Sequence, residues 1–297
     1  MRVIAIDAGG TKTRLRCYDE DGAVLFSLER GTMHPRQVGY DGMRERLSAW
    51  LGEVARESRT DLETTVLSAG LAGYGPGRER AVEDALEPVL CHMGGVVLNS
   101  DAEIARLGAL GGADGILVIS GTGSIAVSSI GGRRGRAGGW GSSFGDEGSG
   151  YWIGRAALGE ASQQADGRAE RTELLRGVCS HFGVSDPFGL VSAVSASGDE
   201  RGVVASLART VADLARQGDA PSLHILDAAA HELSRLVNAL VGEGRMNCSW
   251  SGGVFSMGEL ITTPLSRYVS PKVSLCAPQG GALDGALLAA RKYVTSF

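Results

Sequence analysis

Val3-Ile4-Ala5-Ile6-Asp7-Ala8-Gly9-Gly10-Thr11-Lys12-Thr13 and Ile116-Leu117-Val118-Ile119-Ser120-Gly121-Thr122-Gly123-Ser124 decide how this chain is read. Each is a short apolar run of the kind that makes a buried strand, and each stops at small, hydroxyl-bearing residues. Glycine lets the backbone turn tightly and approach a ligand closely. Exposed backbone N–H groups in such turns, with Thr and Ser hydroxyls beside them, make anion-binding concavities. Two such turns in one chain point to a polyphosphate held between two lobes.

Neither turn is a Walker A loop, because no Gly-Lys-Ser/Thr closes a G-x-x-x-x-G-K run. Gly121-Thr122-Gly123-Ser124-Ile125-Ala126 matches the G-x-G-x-x-A dinucleotide fingerprint, which requires a helix directly after it. Here Ile125 to Ile130 continues as a strand, so that match is rejected. Two ordinary glycine turns remain the plain alternative, and finding them paired weighs against it.

Working outward, residues 2–7, 13–18 and 23–29 read as strands, the last two joined by the hairpin turn Asp19-Glu20-Asp21-Gly22. Residues 42–57 have helical spacing, with Met43, Leu47, Trp50, Leu51 and Val54 on one face. A strand at 63–69, a helix at 79–91, a strand at 95–99 and a helix after Ser100 follow. The order then recurs: strands at 115–120, 124–130 and 133–138, helices at 147–165, 169–182, 201–216 and 221–242, a strand at 247–251, a helix at 257–268, a strand at 272–276 and a helix at 280–294. This is an internal duplication of an α/β layer fold, with helices inserted in the second copy. Gly111-Gly112-Ala113-Asp114 marks the boundary, giving lobes 1–113 and 114–297. Spacing does not decide whether the closing helix packs back on the first lobe.

The 297 residues suffice for two domains with real cores, and 43% hydrophobic with 21% charged residues is a globular balance. A net charge of −5 with no Lys/Arg block opposes a nucleic-acid partner. No apolar run reaches membrane-spanning length, and no apolar h-region follows Met1-Arg2, so a cytoplasmic protein without a membrane partner is expected. Cys17, Cys91, Cys179, Cys248 and Cys276 form no C-x-x-C pair and read as reduced, mostly buried thiols.

Three further stretches carry chemistry. In Val96-Val97-Leu98-Asn99-Ser100-Asp101, an acid lies where a strand ends and a helix begins, at the mouth of an α/β cleft. Asp101 there is placed to take a proton from a hydroxyl, or simply to favour the helix dipole. Gly138-Gly139-Trp140-Gly141-Ser142-Ser143-Phe144-Gly145-Asp146-Glu147-Gly148-Ser149-Gly150-Tyr151-Trp152 combines ligand-approaching glycines, two tryptophans as walls, and two acids at the start of a helix. The plain alternative is a structural loop whose tryptophans are core. Gly141-Ser142-Ser143-Phe144-Gly145 imitates a hydrolase elbow but lacks the strand that must lead into it. His231-Glu232 begins an H-E-x-x-H pattern that Arg235 breaks. Asn247-Cys248-Ser249-Trp250-Ser251-Gly252-Gly253 ends a strand in a turn against which a flat adenine fits, or in a plain strand-to-helix turn.

Together these stretches resemble the acetate and sugar kinase/Hsc70/actin superfamily, and within it the N-acetylglucosamine kinase branch of the BadF/BadG/BcrA/BcrD ATPase-like family. The most specific part runs from Ile119 to Trp152. The resemblance implies two duplicated actin/ribonuclease H-like domains around an interdomain cleft. It implies that Gly9, Gly10, Thr11 and Lys12 form one ATP phosphate loop and Gly121, Thr122 and Gly123 the other, with Gly252 and Gly253 as the adenosine turn. Asp7 would hold Mg²⁺ through water, Asp101 would be the catalytic base, and Gly139, Trp140, Gly141 and Asp146 would bind the sugar. A homodimer is implied on the same basis. One departure stands out: where the family has a sugar-contacting Asn, often before Pro, this chain has His34 before Pro35.

The reading is an ATP-dependent kinase of an amino sugar, N-acetylglucosamine or glucosamine. The alternatives are an ATPase that activates a dehydratase or reductase, which would need cluster-binding cysteines although Cys248 and Cys276 are far apart in sequence, and a non-catalytic sugar- or nucleotide-binding protein.

Overall fold

The computed structural model describes residues 1–295; residues 296 and 297 of the expected second lobe lie outside them. The chain divides into two units, Met1–Ala113 with the chain from Ala277 on, and Asp114–Cys276. The first opens with β1 (Val3–Ala8), β2 (Lys12–Tyr18), β3 (Val24–Gly31), α1 (Pro35–Ser58), β4 (Val66–Leu71), α2 (Glu79–Leu90), β5 (Gly95–Ser100) and α3 (Asp101–Ala109). The second contains β6 (Gly115–Ser120), β7 (Ser124–Ile130), β8 (Arg133–Gly138), α4 (Gly150–Asp166), α5 (Glu173–Phe182), α6 (Gly189–Ser195), α7 (Glu200–Arg216), α8 (Ala220–Asn238), β9 (Met246–Ser251), α9 (Glu259–Tyr268) and β10 (Val273–Leu275). The closing helix α10 (Ala282–Val294) packs in the first unit, on α3, β1 and β4.

The duplication is visible as topology. One sheet has the order β3-β2-β1-β4-β5 and the other β10-β9-β6-β7-β8, which is the same order read from the opposite side. In each, the first three strands are antiparallel neighbours and the last two join in parallel. β1 is apolar on both faces because both are covered. Ile4 and Ile6 share a core with Leu47, Leu51 and Leu86 of α1 and α2, while Ala5 packs with Ile104 and Leu283 of α3 and α10. The edge strand β3 is mostly exposed. In the second unit, β6 and β9 share one large core with α4, α5, α7, α8 and α9.

This topology sets up the sites. β1, β3, β4 and β5 all run the same way, so their C-terminal ends deliver Asp7, His34, Gly73 and Asp101 to one sheet edge. β6, β8 and β9 do the same in the second unit for Gly121, Gly139 and Gly252.

Several boundaries differ from the periodicity reading. α1 begins at Pro35 rather than 42, with a break at Gly39 (φ 70°), so its apolar face is regular only beyond the break. β4 begins at Val66 because Asp61 accepts from the Glu63 N–H and caps a 3₁₀ turn, Leu62–Thr64. The helix expected from 169 begins at Glu173, where Thr172 caps it. α6 was not expected. The helix expected at 257–268 is α9, Glu259–Tyr268, and a 3₁₀ turn, Gly253–Met257, precedes it.

Candidate active site

In the first unit the turn Gly9–Thr11 is held from outside by the segment before and into α1. Thr32 Oγ1 donates to the Gly9 carbonyl at 3.0 Å, and Gln37 Nε2 donates to the Gly10 carbonyl at 2.6 Å. Thr32 also accepts from the His34 N–H at 3.0 Å. Neither Thr32 nor Gln37 was singled out by sequence, and no local pattern marks them. Gly10 and Thr11 are exposed; Lys12 begins β2 and pairs with Glu29 at 3.0 Å. The hydroxyl of Thr13, buried just after this turn, has no hydrogen-bond partner among the described residues.

Asp101 is the first residue of α3. Ser100 is the N-cap, accepting from the Glu103 N–H at 3.1 Å, and Asp101 Oδ1 accepts from the Ala102 N–H at 2.9 Å. Burial, and then the charge of Asp7, push the Asp101 carboxyl above the ordinary aspartate range. The other acid of that turn, Glu103, is taken by Arg106 at 2.9 Å in a buried pair. Asp7 itself pairs with Arg14, its cross-strand partner in β2.

His34 caps α1, its Nδ1 accepting from the Arg36 N–H at 3.1 Å. Nε2 therefore carries the proton of the neutral ring and is a donor. Burial, then Arg36 and Arg78, lower its pKa, which keeps the ring neutral near pH 7.

In the second unit the turn Gly121–Gly123 is roofed by the glycine-rich stretch. Gly150 N–H donates to the Gly121 carbonyl at 2.7 Å, Ser120 Oγ donates to the Gly148 carbonyl at 2.9 Å, and Ser124 Oγ donates to the Glu147 carbonyl at 2.7 Å. Asp146 and Glu147 do not start the helix as expected: α4 begins at Gly150, capped by Ser149, because Asp146 turns back at φ 62°. Its buried carboxylate accepts from the Ser124 N–H at 3.2 Å and pairs with Arg201 at 2.6 Å. Arg201 was missed by sequence; it lies 55 residues from Asp146.

The two tryptophans part company. Trp152 packs against the core, whereas Trp140 is 69% exposed beneath the Arg136 guanidinium, between Gly139 and Gly141 at positive φ. Ser143 sits in an irregular loop, not on a strand-to-helix elbow. Gly252 has φ 103°, and a Cβ there would lie 2.6 Å from the Ser120 carbonyl carbon, so this position admits only glycine. Gly253 faces open space. A cavity of about 660 Å³ opens just beyond this turn, lined by Met257, Glu259 and Leu260 with Leu223 and Asp227.

Cys248 and Cys276, distant in sequence, are neighbours: β9 pairs with β10, and the Cys276 N–H donates to the Cys248 carbonyl at 2.9 Å. Both thiols are raised, Cys248 to about 12 by burial and by Cys276, which disfavours the thiolates that metal ligation requires. Cys91 is exposed. Among the described residues no group of three or more His, Cys, Asp or Glu could hold a metal, and no helix is long and apolar enough to cross a membrane.

The chain is similar to known proteins over nearly its whole length. The family model described as the BadF/BadG/BcrA/BcrD ATPase family matches residues 4–288. An N-acetylmuramic acid/N-acetylglucosamine kinase of Clostridium acetobutylicum is 31% identical, over 97% of this chain and 98% of its own. The glucosamine kinase of Vibrio cholerae is 24% identical over 97% and 95%. A crystal structure from Chromobacterium violaceum, provisionally assigned as an N-acetylglucosamine kinase, superposes with a TM-score of 0.78 at 27% identity, covering 97% of this chain and 98% of that one.

Proposed function

The chain belongs to the BadF/BadG/BcrA/BcrD ATPase family, and on that premise we propose that it transfers the γ-phosphoryl group of ATP to a hydroxyl of an amino sugar, N-acetylglucosamine or glucosamine. The observation that carries this reading is Asp101: a half-buried carboxylate with a raised pKa, near enough to Asp7 to feel its charge, at the sheet edge where a phosphate-type turn also lies. Such a group suits a general base for a sugar hydroxyl.

Phosphoryl transfer asks little covalent chemistry of the protein and much positioning. In this proposal Gly9, Gly10, Thr11 and Lys12, and Gly121, Thr122 and Gly123, hold the phosphates of ATP through backbone N–H groups and hydroxyls. Gly252 and Gly253 receive the adenosine. His34, Gly139, Trp140, Gly141 and Asp146 contact the sugar; His34 offers the Nε2 donor, and a carboxylate such as that of Asp146 has lone pairs left after Ser124 and Arg201 are served. Asp101 accepts the hydroxyl proton.

Magnesium fits the donor set. It is usually held by one or two carboxylates with phosphate and water completing the octahedron, and Asp7 and Asp101 are two such carboxylates close enough to interact. Asp7 would hold the ion through water, and the ion, when bound, neutralises phosphate charge. A cytoplasmic homodimer belongs to the same proposal, supported by the family resemblance.

Purified protein with Mg-ATP and a panel of hexosamines tests the activity: an amino sugar is expected to raise ADP release well above the sugar-free rate. If no sugar does so, the kinase reading fails.

A further inference from the structure

The start of α7 is pressed against the turn Gly121–Gly123 by close backbone packing. A Cβ on Gly150, the first residue of α4, would lie 3.0 Å from the Gly121 carbonyl oxygen and 3.3 Å from that of Ala205. A Cβ on Gly154, one turn on, would lie 2.8 Å from the Val204 carbonyl carbon. Asp199 caps α7, accepting from the Gly202 N–H at 2.9 Å. Arg201, the second residue of α7, is thereby delivered to the turn: a Cβ on Gly123 would lie 2.7 Å from Arg201 Nη2 and 2.8 Å from Asp146 Oδ1.

The two oxygens of Asp146 are served from different directions. Oδ1 accepts from the Ser124 N–H at 3.2 Å, and Oδ2 accepts from Arg201 Nη2 at 2.6 Å. The Asp146 side chain is 3% exposed and that of Arg201 45%. Among the described residues Asp146 is one of two non-glycines at positive φ, and the other, Arg59, ends α1. Such a conformation persists where its surroundings dictate it, and such residues cluster at functional sites.

Stability alone does not account for this pair. A buried ion pair loses in desolvation much of what it gains in attraction, and apolar side chains of similar volume often do as well or better. The turn is also held without Arg201, because Gly150 N–H, Ser120 Oγ and Ser124 Oγ tie it to the glycine-rich stretch. A carboxylate has about four acceptor sites, so Asp146 keeps capacity for a ligand after Ser124 and Arg201 are served. Arg201 decides which way that capacity faces.

We propose that Arg201 is a positioning residue for the sugar: it fixes the Asp146 carboxylate in one orientation beside the Gly121–Gly123 turn, and the remaining lone pairs accept from sugar hydroxyls. The proposal rests on the kinase reading and adds to it a residue from outside the glycine-rich stretch. Arg201 acts through Asp146 and touches neither sugar nor phosphate.

The test is a double-mutant cycle of Arg201→Gln, Asp146→Asn and the two together. It is read as KM and kcat with Mg-ATP and the hexosamine turned over fastest, and as binding of that sugar by calorimetry. Arg201→Gln is expected to weaken binding of the sugar, and to raise its KM, by roughly tenfold or more, the scale of one charged hydrogen bond. KM for ATP should stay within a few-fold, because the bonds that hold the turn remain. The double variant should lose no more sugar affinity than Asp146→Asn alone, the sign of one residue acting through the other. Arg201→Lys, which keeps the charge, should recover part of the loss. Losses that multiply in the double variant overturn the proposal by giving Arg201 a contact of its own. Wild-type sugar affinity in Arg201→Gln overturns it as well. Equal rises in both KM values with a lowered urea midpoint, unrelieved by Arg201→Lys, overturn it in favour of a purely structural pair. In all three cases turnover by the wild-type protein leaves the kinase reading standing. Absence of wild-type turnover on every sugar overturns that reading, and this proposal with it.

Discussion

At the start of α3 two carboxylates have different fates. Glu103 is neutralised by Arg106, while half-buried Asp101 feels the charge of Asp7 and has no ion-pair partner among the described residues. Asp101 must be deprotonated to act as a base, so kcat/KM should fall as pH drops through its value. Because burial and Asp7 both raise that value, the acid limb should lie above the ~3.9 of an unperturbed aspartate. Asp7→Asn removes the smaller of these two causes; it should move the limb to lower pH, with burial still holding it above the ordinary position. A limb at the ordinary aspartate value, unmoved by Asp7→Asn, would contradict this account. Asp101 was readable because an acid after Ser100 at a strand end is a local pattern. Arg14 was half readable, since the β1–β2 register places it opposite Asp7. Arg201 was not, because only the packing of α7 brings it to Asp146.

Elements show the same division. The strands and the apolar face of α1 were legible because burial on a fixed face imposes a period on the sequence. Helix starts were less so. The apolar period says nothing of the residues before the Gly39 break, and Thr172 caps a helix whose sequence looks helical three residues earlier. The α3–α10 crossing was invisible to periodicity. There a Cβ on Gly108 would lie 2.7 Å from the Gly281 carbonyl carbon, and one on Gly285 would lie 2.9 Å from that of Ile104. The two backbones touch, so an added methyl meets main chain that cannot yield. Gly285→Ala should destabilise the first unit by about 3 kcal/mol or more, at or beyond the usual range of overpacking. Gly159→Ala, in α4 with nothing within 4 Å of the new methyl, should cost nothing and gain up to about 1 kcal/mol in helix propensity. Urea unfolding of both variants checks the pair; equal midpoints would refute the close crossing.

For the whole molecule, the repeated order of strands and turns in the sequence corresponds to two sheets of one topology. The paired glycine turns announced this, because each ends the first strand of its sheet. Which unit the closing helix packs on is a tertiary fact that spacing does not hold; nor does spacing reveal that β9 and β10 bring Cys248 and Cys276 together. The central claim, that Asp101 takes the proton of an amino-sugar hydroxyl during phosphoryl transfer, is tested most directly by comparing wild-type protein with Asp101→Asn for sugar-phosphate formation and for ATP binding. The account predicts that the wild-type protein makes sugar phosphate, and that the variant loses at least 100-fold in turnover, the lower end of general-base catalysis, while binding ATP within a few-fold of wild type. Sugar phosphate formed by Asp101→Asn at the wild-type rate would contradict it.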